Sequence, residues 1–433
     1  MKIYQSTLLT ADQLRALCVR PWSEDRSSKT SVENICLDVK QRGDSALREY
    51  SKRFDKVETT ALRVSPEQVE AAGKSVPPAV LSAIDHAARN IRTFHTAQGR
   101  NEEELETEIG VVCWRERRAL ETVGLYVPSG SAPLPSTVLM LGIPALLAGC
   151  KRIVLCTPPK QNGVPDPVVL TAAARIGISE IYMVGGAQAI AAMAYGTESI
   201  PKVDKIFGPG NQYVTEAKHI VSSDPDGTAI DLLAGPSELL IIADEMANPR
   251  IVAADLLSQA EHDPASQVVL VTNSRDLASA TIDQVAQQLP SLLRNAIAAQ
   301  SLEHSYAIIV ESIEEAAAFS NRYAPEHLMI NTRQPNSLVP MIQNAGSVFL
   351  GSYAPVTAGD YASGTNHTLP TGGTARWYSG VSLDSFHKSL TFQSLTRDGL
   401  RRLSTTLMTF AEVEGLGAHG LAVSMRLENQ RTT

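Results

Sequence analysis

The sequence predicts an α/β protein of two parallel-sheet units in tandem, with a small N-terminal arm and a helical C-terminal tail. Three observations carry that prediction. The chain has 433 residues, more than one comfortable hydrophobic core organises, so two or more domains are expected. Aromatic residues make up only 5% while Ala, Val, Ile and Leu are plentiful, a bias that suits helices layered on sheets. From Glu108 onward, short apolar runs alternate with helix-length segments across brief glycine loops, the rhythm of strands joined by crossover helices.

Residues 1–24 read as a separate arm, broken at Pro21. From Ser31 to about Arg100, Val32, Ile35, Cys36 and Val39 recur at three- and four-residue steps, and similar spacing runs from Val69 to Phe94, so helices are expected. The acidic run Glu102–Glu106 reads as a solvated connector. Val138–Cys150 is the longest apolar run. It contains Pro144 and is too short to span a bilayer, so it is expected as a helix buried on a sheet.

Strands are then expected at Ile153–Cys156, Ile181–Val184 and Lys205–Phe207, with helices at Asp166–Ile176, Ala187–Tyr195 and Tyr213–Val221. Gly208-Pro209-Gly210-Asn211 forms a tight turn between the last strand and helix. A second set places strands at Leu239–Ile242, Val268–Val271, Ala307–Val310, Leu328–Ile330 and Ser347–Leu350. Helices Arg250–His262, Leu277–Gln288 and Ile313–Tyr323 alternate with them. Gly359–Gly373, rich in Gly, Ser and Thr, is expected as a long functional loop, and a helical tail follows Asp384.

The formal net charge of −8 and the lack of any long Lys/Arg run exclude a nucleic-acid binder of the usual basic kind. Five scattered cysteines without a C-x-x-C pair read as reduced thiols. The N-terminus turns polar too quickly for a signal peptide. A cytoplasmic protein without a membrane partner is expected.

Two Glu-His dipeptides stand out among only nine histidines. Glu261-His262 closes a helix in which Gln259 and His262, three apart, project over one spot. A histidine stabilised by the helix C-terminal dipole meets the same pattern. Glu326-His327 follows Pro325 and immediately precedes a strand; a helix start, with its acid favoured by the dipole, and a ligand site at the sheet end are both open. Ala358–His367 gathers Asp360, Asn366 and His367 among small residues, as ligand-wrapping loops do. Gly415-Leu416-Gly417-Ala418-His419-Gly420 is a literal G-x-G-x-x-G. Helical residues precede it, and only 13 residues follow its last glycine, too few for the distal acid, so it fails as a dinucleotide fingerprint.

Taken together the motifs resemble the histidinol dehydrogenase family over nearly the whole chain. Its markers are Gly124–Pro128, Val184–Gln188, Ile206–Asn211, Ala234–Glu238, Ser258–His262, Ala324–Leu328, Gly359–Pro370 and Glu414…His419. Ser129 stands where the resemblance expects Gly. The resemblance implies zinc held by Gln259, His262, Asp360 and His419, the last from the partner subunit of a homodimer. It implies Glu326 and His327 as catalytic bases, for water and for the alcohol. Ser237, Gln259, His262, His327, Asp360, Glu414 and His419 would contact substrate, and Tyr126, Gln188 and Asn211 would contact NAD.

The implied reaction is the four-electron oxidation of L-histidinol to L-histidine by NAD⁺, through histidinaldehyde, the last step of histidine biosynthesis. The implied fold is a pair of Rossmann-like domains of the aldehyde-dehydrogenase kind. Its divisions are an arm at 1–24, a larger domain at 25–107 with 235–381 carrying metal and catalytic residues, an NAD-binding domain at 108–234, and a dimerisation tail at 382–433. Three other functions compete: a zinc hydrolase using the same ligands, a two-lobed binding protein without turnover, and an amino-alcohol dehydrogenase of broader specificity.

Overall fold

The computed structural model describes residues 1–20, 29–58, 61–99, 103–129 and 132–428. The expected break at Pro21, the boundary after residue 24, Arg100 and Glu102 lie outside the described residues. The chain divides into two compact units, Met1–Thr96 with Leu120–Phe386, and Ala97–Ala119 with His387–Thr433.

The larger unit holds two parallel sheets, their strands numbered along the chain. One comprises β4 (Thr122–Tyr126), β5 (Arg152–Thr157), β6 (Ile181–Met183), β7 (Lys205–Phe207) and β8 (Ala229–Ile230), in the order β6-β5-β4-β7-β8. The other comprises β1 (Lys2–Gln5), β9 (Glu238–Ala243), β10 (Gln267–Thr272), β11 (Tyr306–Ile309), β12 (His327–Asn331) and β13 (Ser347–Leu350), in the order β1-β11-β10-β9-β12-β13. In each, the chain winds outward from a first strand (β4 or β9), then returns to that strand's other side. The pairs β4/β7 and β9/β12 therefore flank topological switch points.

The sequence explains the burial. β9 and β10 are buried at every residue, and helices on both faces remove any need for polar alternation. The run with Pro144 is the helix Pro135–Ala148, buried throughout from Thr137 to Ala145 as expected, and it ends at Gly149 in the left-handed region. Asp166 caps the helix Pro167–Ile176 by accepting the Val168 N–H at 2.9 Å.

Four expectations are corrected. First, the N-terminal residues are no separate arm: β1 pairs in parallel with β11, and Tyr4 packs edge-on against Tyr306 with ring centroids 5.7 Å apart. Second, residues 29–96 do not join the six-stranded sheet. Val32, Ile35, Cys36, Val39, Ala46 and Leu47 share a core with Val154, Ile190 and Val214 on one face of the five-stranded sheet, and Ile84, Ala87 and Ile91 pack on its other face. The periodicity marked apolar faces correctly but did not say which sheet they cover.

Third, Asp360 lies on a short helix, Val356–Tyr361, at the start of the expected loop. Fourth, the tail begins with a strand. The smaller unit is an antiparallel sheet, β14-β3-β2, of β2 (Leu105–Glu108), β3 (Val111–Ala119) and β14 (His387–Leu395), with a helical hairpin of Arg397–Val413 and Gly417–Leu427. Trp114 and Phe392 stack across the β3/β14 pair at 5.2 Å, a cross-strand contact that offsets the charged residues of β3. Among the described residues no helix is long and apolar enough to cross a membrane.

Candidate active site

The second Glu-His dipeptide sits where β9 and β12 begin, at the switch point of the six-stranded sheet. No helix starts at Pro325. The helix Ile313–Tyr323 ends at Ala324, a non-glycine residue in the left-handed region with φ 53°, and His327 opens β12. That conformation costs about 1 kcal/mol or more, and it is held because Ala324 is fully buried and its N–H bonds the Ser320 carbonyl at 2.7 Å. Glu326 and His327 thus lie at a sheet end, and at the amino ends of its strands, whereas open α/β sheets usually bind ligands at the carboxyl ends.

Glu326 and His327 are both buried and both anchored by the main chain of Glu238. Glu326 Oε2 accepts the Glu238 N–H at 2.8 Å, and His327 Nδ1 lies 3.0 Å from the Glu238 carbonyl. A carbonyl can only accept, so Nδ1 carries the proton and donates it, which leaves Nε2 as the lone-pair nitrogen of the neutral ring. Nε2 is buried without a hydrogen-bond partner among the described residues; Asp360 Oδ1 stands 3.5 Å away, beyond good hydrogen-bond length. Burial pushes the Glu326 carboxyl above its ordinary value. Burial works against a charged His327, yet Glu326 and Asp360 prevail and hold its pKa well above the usual range. The pair combines a strong proton acceptor with a carboxylate of raised basicity.

Three of the four residues expected to bind metal, Gln259, His262 and Asp360, come from two elements of the larger unit. Gln259 lies in the last turn of the helix Pro249–Ala260, and His262 follows it, its N–H bonding the Gln259 carbonyl at 3.2 Å. Asp360 comes from Val356–Tyr361, which approaches closely because residue 359 is glycine: a Cβ there would meet the Phe349 ring at 2.7 Å. The Phe349 ring in turn lies 6.0 Å from that of His327. Desolvation lowers the His262 pKa, which favours the neutral imidazole a metal requires, while Asp360 opposes it. The charge of His327 outweighs burial and keeps Asp360 ionised below the ordinary carboxylate range.

Gln259 is 2% exposed, at the same helix end as the desolvated His262. An amide oxygen, a neutral imidazole and an ionised carboxylate are oxygen and nitrogen donors that a divalent cation such as zinc takes, so this donor set fits a metal ion. Among the described residues no three His, Cys, Asp or Glu side chains form a metal cage by themselves. Glu414 and His419 belong to the smaller unit and are exposed, on either side of the turn at Gly415 between the two helices of the hairpin.

The residues expected to touch cofactor gather at the carboxyl ends of the five-stranded sheet. Tyr126 ends β4, and its hydroxyl accepts the Gly186 N–H at 3.0 Å. Burial pushes its phenol up to about 12. Gln188 is buried in the first turn of the helix Gly186–Tyr195. Asn211 caps the helix Gln212–Ser223, accepting the Tyr213 and Val214 N–H groups at 3.1 and 3.2 Å. Gly208, at φ 128°, permits the turn between β7 and Asn211, since a Cβ there would strike the Tyr126 carbonyl. β4 and β7 flank the switch point, the usual place for a dinucleotide on such a sheet.

A family model described as histidinol dehydrogenase matches residues 19–427. The chain belongs to the histidinol dehydrogenase family. A histidinol dehydrogenase of Photobacterium profundum is 50% identical over 98% of this chain and 95% of its own, and one of Bacteroides fragilis is 52% identical over 97% of each. A putative histidine biosynthesis bifunctional protein of Photorhabdus laumondii is 54% identical over 96% of this chain, which spans about half (51%) of that relative's length. The crystal structure of histidinol dehydrogenase from Elizabethkingia anophelis superposes with a TM-score of 0.96 at 50% identity, covering 100% of this chain and 99% of that one. Members of the family are oxidoreductases that catalyse the final step of histidine biosynthesis.

Within this histidinol dehydrogenase fold, the site also holds residues outside the set that the resemblance implied. His367 Nδ1 lies 2.8 Å from the Asp360 carbonyl and Nε2 3.3 Å from Thr137 Oγ1, so it braces the segment that carries Asp360. It stood in the flagged stretch Ala358–His367, and that stretch was its signal. Glu238 acts through its main chain, which leaves no mark on residue type, and the side-chain partner of Glu238 is Arg20, 218 residues away. Ser237, the expected substrate contact, immediately precedes Glu238 and is half-buried.

Proposed function

We propose that this chain oxidises L-histidinol to L-histidine through histidinaldehyde, reducing two NAD⁺ to two NADH with uptake of one water and release of protons. The observation that carries the reading is the buried, unpartnered Nε2 of His327 beside Asp360, with Glu326 at 3.4 Å on the Nδ1 side. His327 Nε2 takes the hydroxyl proton as the carbinol hydride leaves. His327 passes that proton to solvent, Glu326 takes a proton from the water that adds to the aldehyde, and the neutral His327 accepts a proton again as the second hydride departs.

Gln259, His262 and Asp360 would hold zinc together with the partner subunit's His419. When bound, zinc supplies a positive centre that orients the imidazole and amino nitrogens of the substrate. NAD⁺, which supplies the hydride acceptor, would lie against Tyr126, Gln188 and Asn211. Ser237 and the partner subunit's Glu414 would contact substrate.

A homodimer is supported by the hairpin of the smaller unit. Phe410, Val413, Leu416, Leu421 and Met425 are all exposed there, and Val413 is 79% exposed. An apolar face of that kind is the sort a second copy of the chain covers.

The test is NADH formation from histidinol and NAD⁺, measured by its absorbance before and after chelation, with metal content determined on the same sample. Turnover that requires NAD⁺ excludes the zinc hydrolase and the binding protein. Absence of NADH from a folded, zinc-loaded protein would overturn the proposal. Equal rates with other amino alcohols would favour the broader dehydrogenase.

A further inference from the structure

We propose that Arg20 and Glu238 form a buried positioning pair that sets the geometry of both catalytic side chains. The inference rests on the roles assigned above to Glu326 and His327. One residue, Glu238, contacts both: its N–H holds Glu326 Oε2 at 2.8 Å and its carbonyl holds His327 Nδ1 at 3.0 Å. The second contact also fixes the tautomer that leaves Nε2 free to take a proton. Where the peptide of Glu238 sits therefore decides where both bases point.

The Glu238 side chain is 0% exposed and accepts three hydrogen bonds. Arg20 Nε donates to Oε1 at 2.9 Å and Nη2 to Oε2 at 2.8 Å, a planar fork on the carboxylate, and the Gly372 N–H donates to Oε1 at 2.7 Å. The guanidinium lies flat on Tyr323, 3.6 Å from its ring centroid, and the Tyr323 hydroxyl donates to Gln267 Oε1 at 2.8 Å. The same guanidinium donates through Nη1 to the Cys18 carbonyl at 2.7 Å and through Nη2 to the Ala324 carbonyl at 3.4 Å. Arg20 thus ties the start of β9 to the turn that delivers Glu326 and His327.

Apolar residues of the same volume often stabilise a core as well as a buried ion pair does, so stability alone gives no reason for this pair here. Fixed direction does. A guanidinium satisfies a carboxylate with two parallel bonds while stacking on a ring and reaching two further carbonyls, which an ammonium cannot do. Arg20 touches no reacting atom in this account; it acts through Glu238.

The experiment compares R20K, R20M and E238Q with the wild-type protein in zinc-loaded form, measuring kcat and KM for histidinol and for NAD⁺ and a thermal melt for each. Because misplacement by about 1 Å costs on the order of 100-fold in rate, R20K is expected to lose about 10- to 100-fold in kcat with both KM values within about threefold. R20M and E238Q are expected to lose at least as much, and all melts to remain cooperative. Where R20M fails to fold, R20K decides, since it keeps the buried charge.

A folded R20K with kcat within about twofold of wild type overturns the proposal, as does a rise in KM at constant kcat. An R20K that does not fold also overturns it, because the pair would then hold up the fold instead of orienting the bases. A folded wild-type protein that makes no NADH from histidinol refutes the proposed function itself and this inference with it. That outcome is distinct from an active wild type whose variants are equally active.

Discussion

Replacing Lys218 with methionine removes the cation from the most completely buried charge pair near the proposed cofactor site. Lys218 is 2% exposed and donates to Asp231 and to the Gly208 carbonyl, the latter at 2.9 Å. Asp231 in turn accepts the Gly208 N–H at 2.8 Å and the Leu232 N–H at 2.6 Å. The pair therefore grips both backbone polar groups of Gly208, its N–H and its carbonyl, at the turn whose positive-φ glycine leads to Asn211. In K218M the Asp231 carboxylate stays buried with two amide donors and without its bonded countercharge, Lys205 acting on it only at longer range, and the Gly208 carbonyl loses its donor.

Breaking a buried pair from one side costs about 3–5 kcal/mol, a large share of the roughly 5–15 kcal/mol that holds a folded protein together. K218M/D231N removes the orphaned charge while the amide oxygen can still accept one N–H, so it should recover about 2 kcal/mol relative to K218M. Urea denaturation of wild type, both single variants and the double variant closes the cycle. The KM for NAD⁺ should rise severalfold in K218M while the KM for histidinol holds. A loss below about 1 kcal/mol in K218M, or a double variant as unstable as the sum of the singles, would falsify the reasoning, because the pair would then be hydrated and unclamped.

Burial alone raises the Asp255 carboxyl to about 6 from an ordinary 3.8. The folded state binds this proton more tightly than the unfolded chain, so the carboxyl lowers stability as pH climbs from about 4 to about 6, and the loss is complete above that. D255N should therefore be roughly 1–3 kcal/mol more stable than wild type at neutral pH, with the gap closing toward pH 4; denaturation at both pH values checks it, and a constant gap counts against it. E326Q should oxidise histidinol to the aldehyde but slow the aldehyde-to-acid step by about 10²- to 10⁴-fold, whereas H327A should lose the first hydride transfer. Single-turnover assays begun from alcohol and from aldehyde separate the two, and a full aldehyde rate in E326Q removes its proposed role. H419A should purify with less zinc, and unchanged metal content would remove His419 from the ligand set.

Most of the elements were legible in the sequence because their signals are local. The runs 239–243, 268–271 and 328–330 inside β9, β10 and β12 are apolar without interruption, and the three-residue spacing of Gln259 and His262 places both at one helix end. What escaped was set by distant partners. β3 carries four charged residues among nine, Arg115, Glu116, Arg117 and Arg118, and becomes a strand by pairing with β14 more than 260 residues later. Ile3 and Tyr4 join the six-stranded sheet only because β11 leaves an edge for them. Ala324 gives no hint of its left-handed backbone, since glycine or asparagine usually marks that conformation. Likewise, Glu238, whose main chain contacts both Glu326 and His327, looks in sequence like any residue that opens a strand.

The two sheets share one winding order yet offer opposite ends to chemistry, and helix polarity accounts for the difference. At the carboxyl ends of parallel strands the crossover helices begin, and their free N–H groups favour anions. Tyr126, the start of Gly186–Tyr195 and Asn211 at the start of Gln212–Ser223 lie there, which suits the pyrophosphate of the proposed NAD. At the amino ends the helices finish, and their free carbonyls favour cations. Gln259 sits in the last turn of Pro249–Ala260 with His262 just beyond it, and Ala324, two residues before the proposed catalytic pair, caps Ile313–Tyr323. The proposed metal ion, the imidazolium that forms when His327 takes up a proton and the Arg20 guanidinium are all cations, and each belongs at that end. On the proposed reading, the departure from the usual carboxyl-end site thus follows from the sign of the charge: an enzyme that takes a dinucleotide, a metal and an imidazole base can draw both kinds of site from one repeated topology by using opposite ends of it.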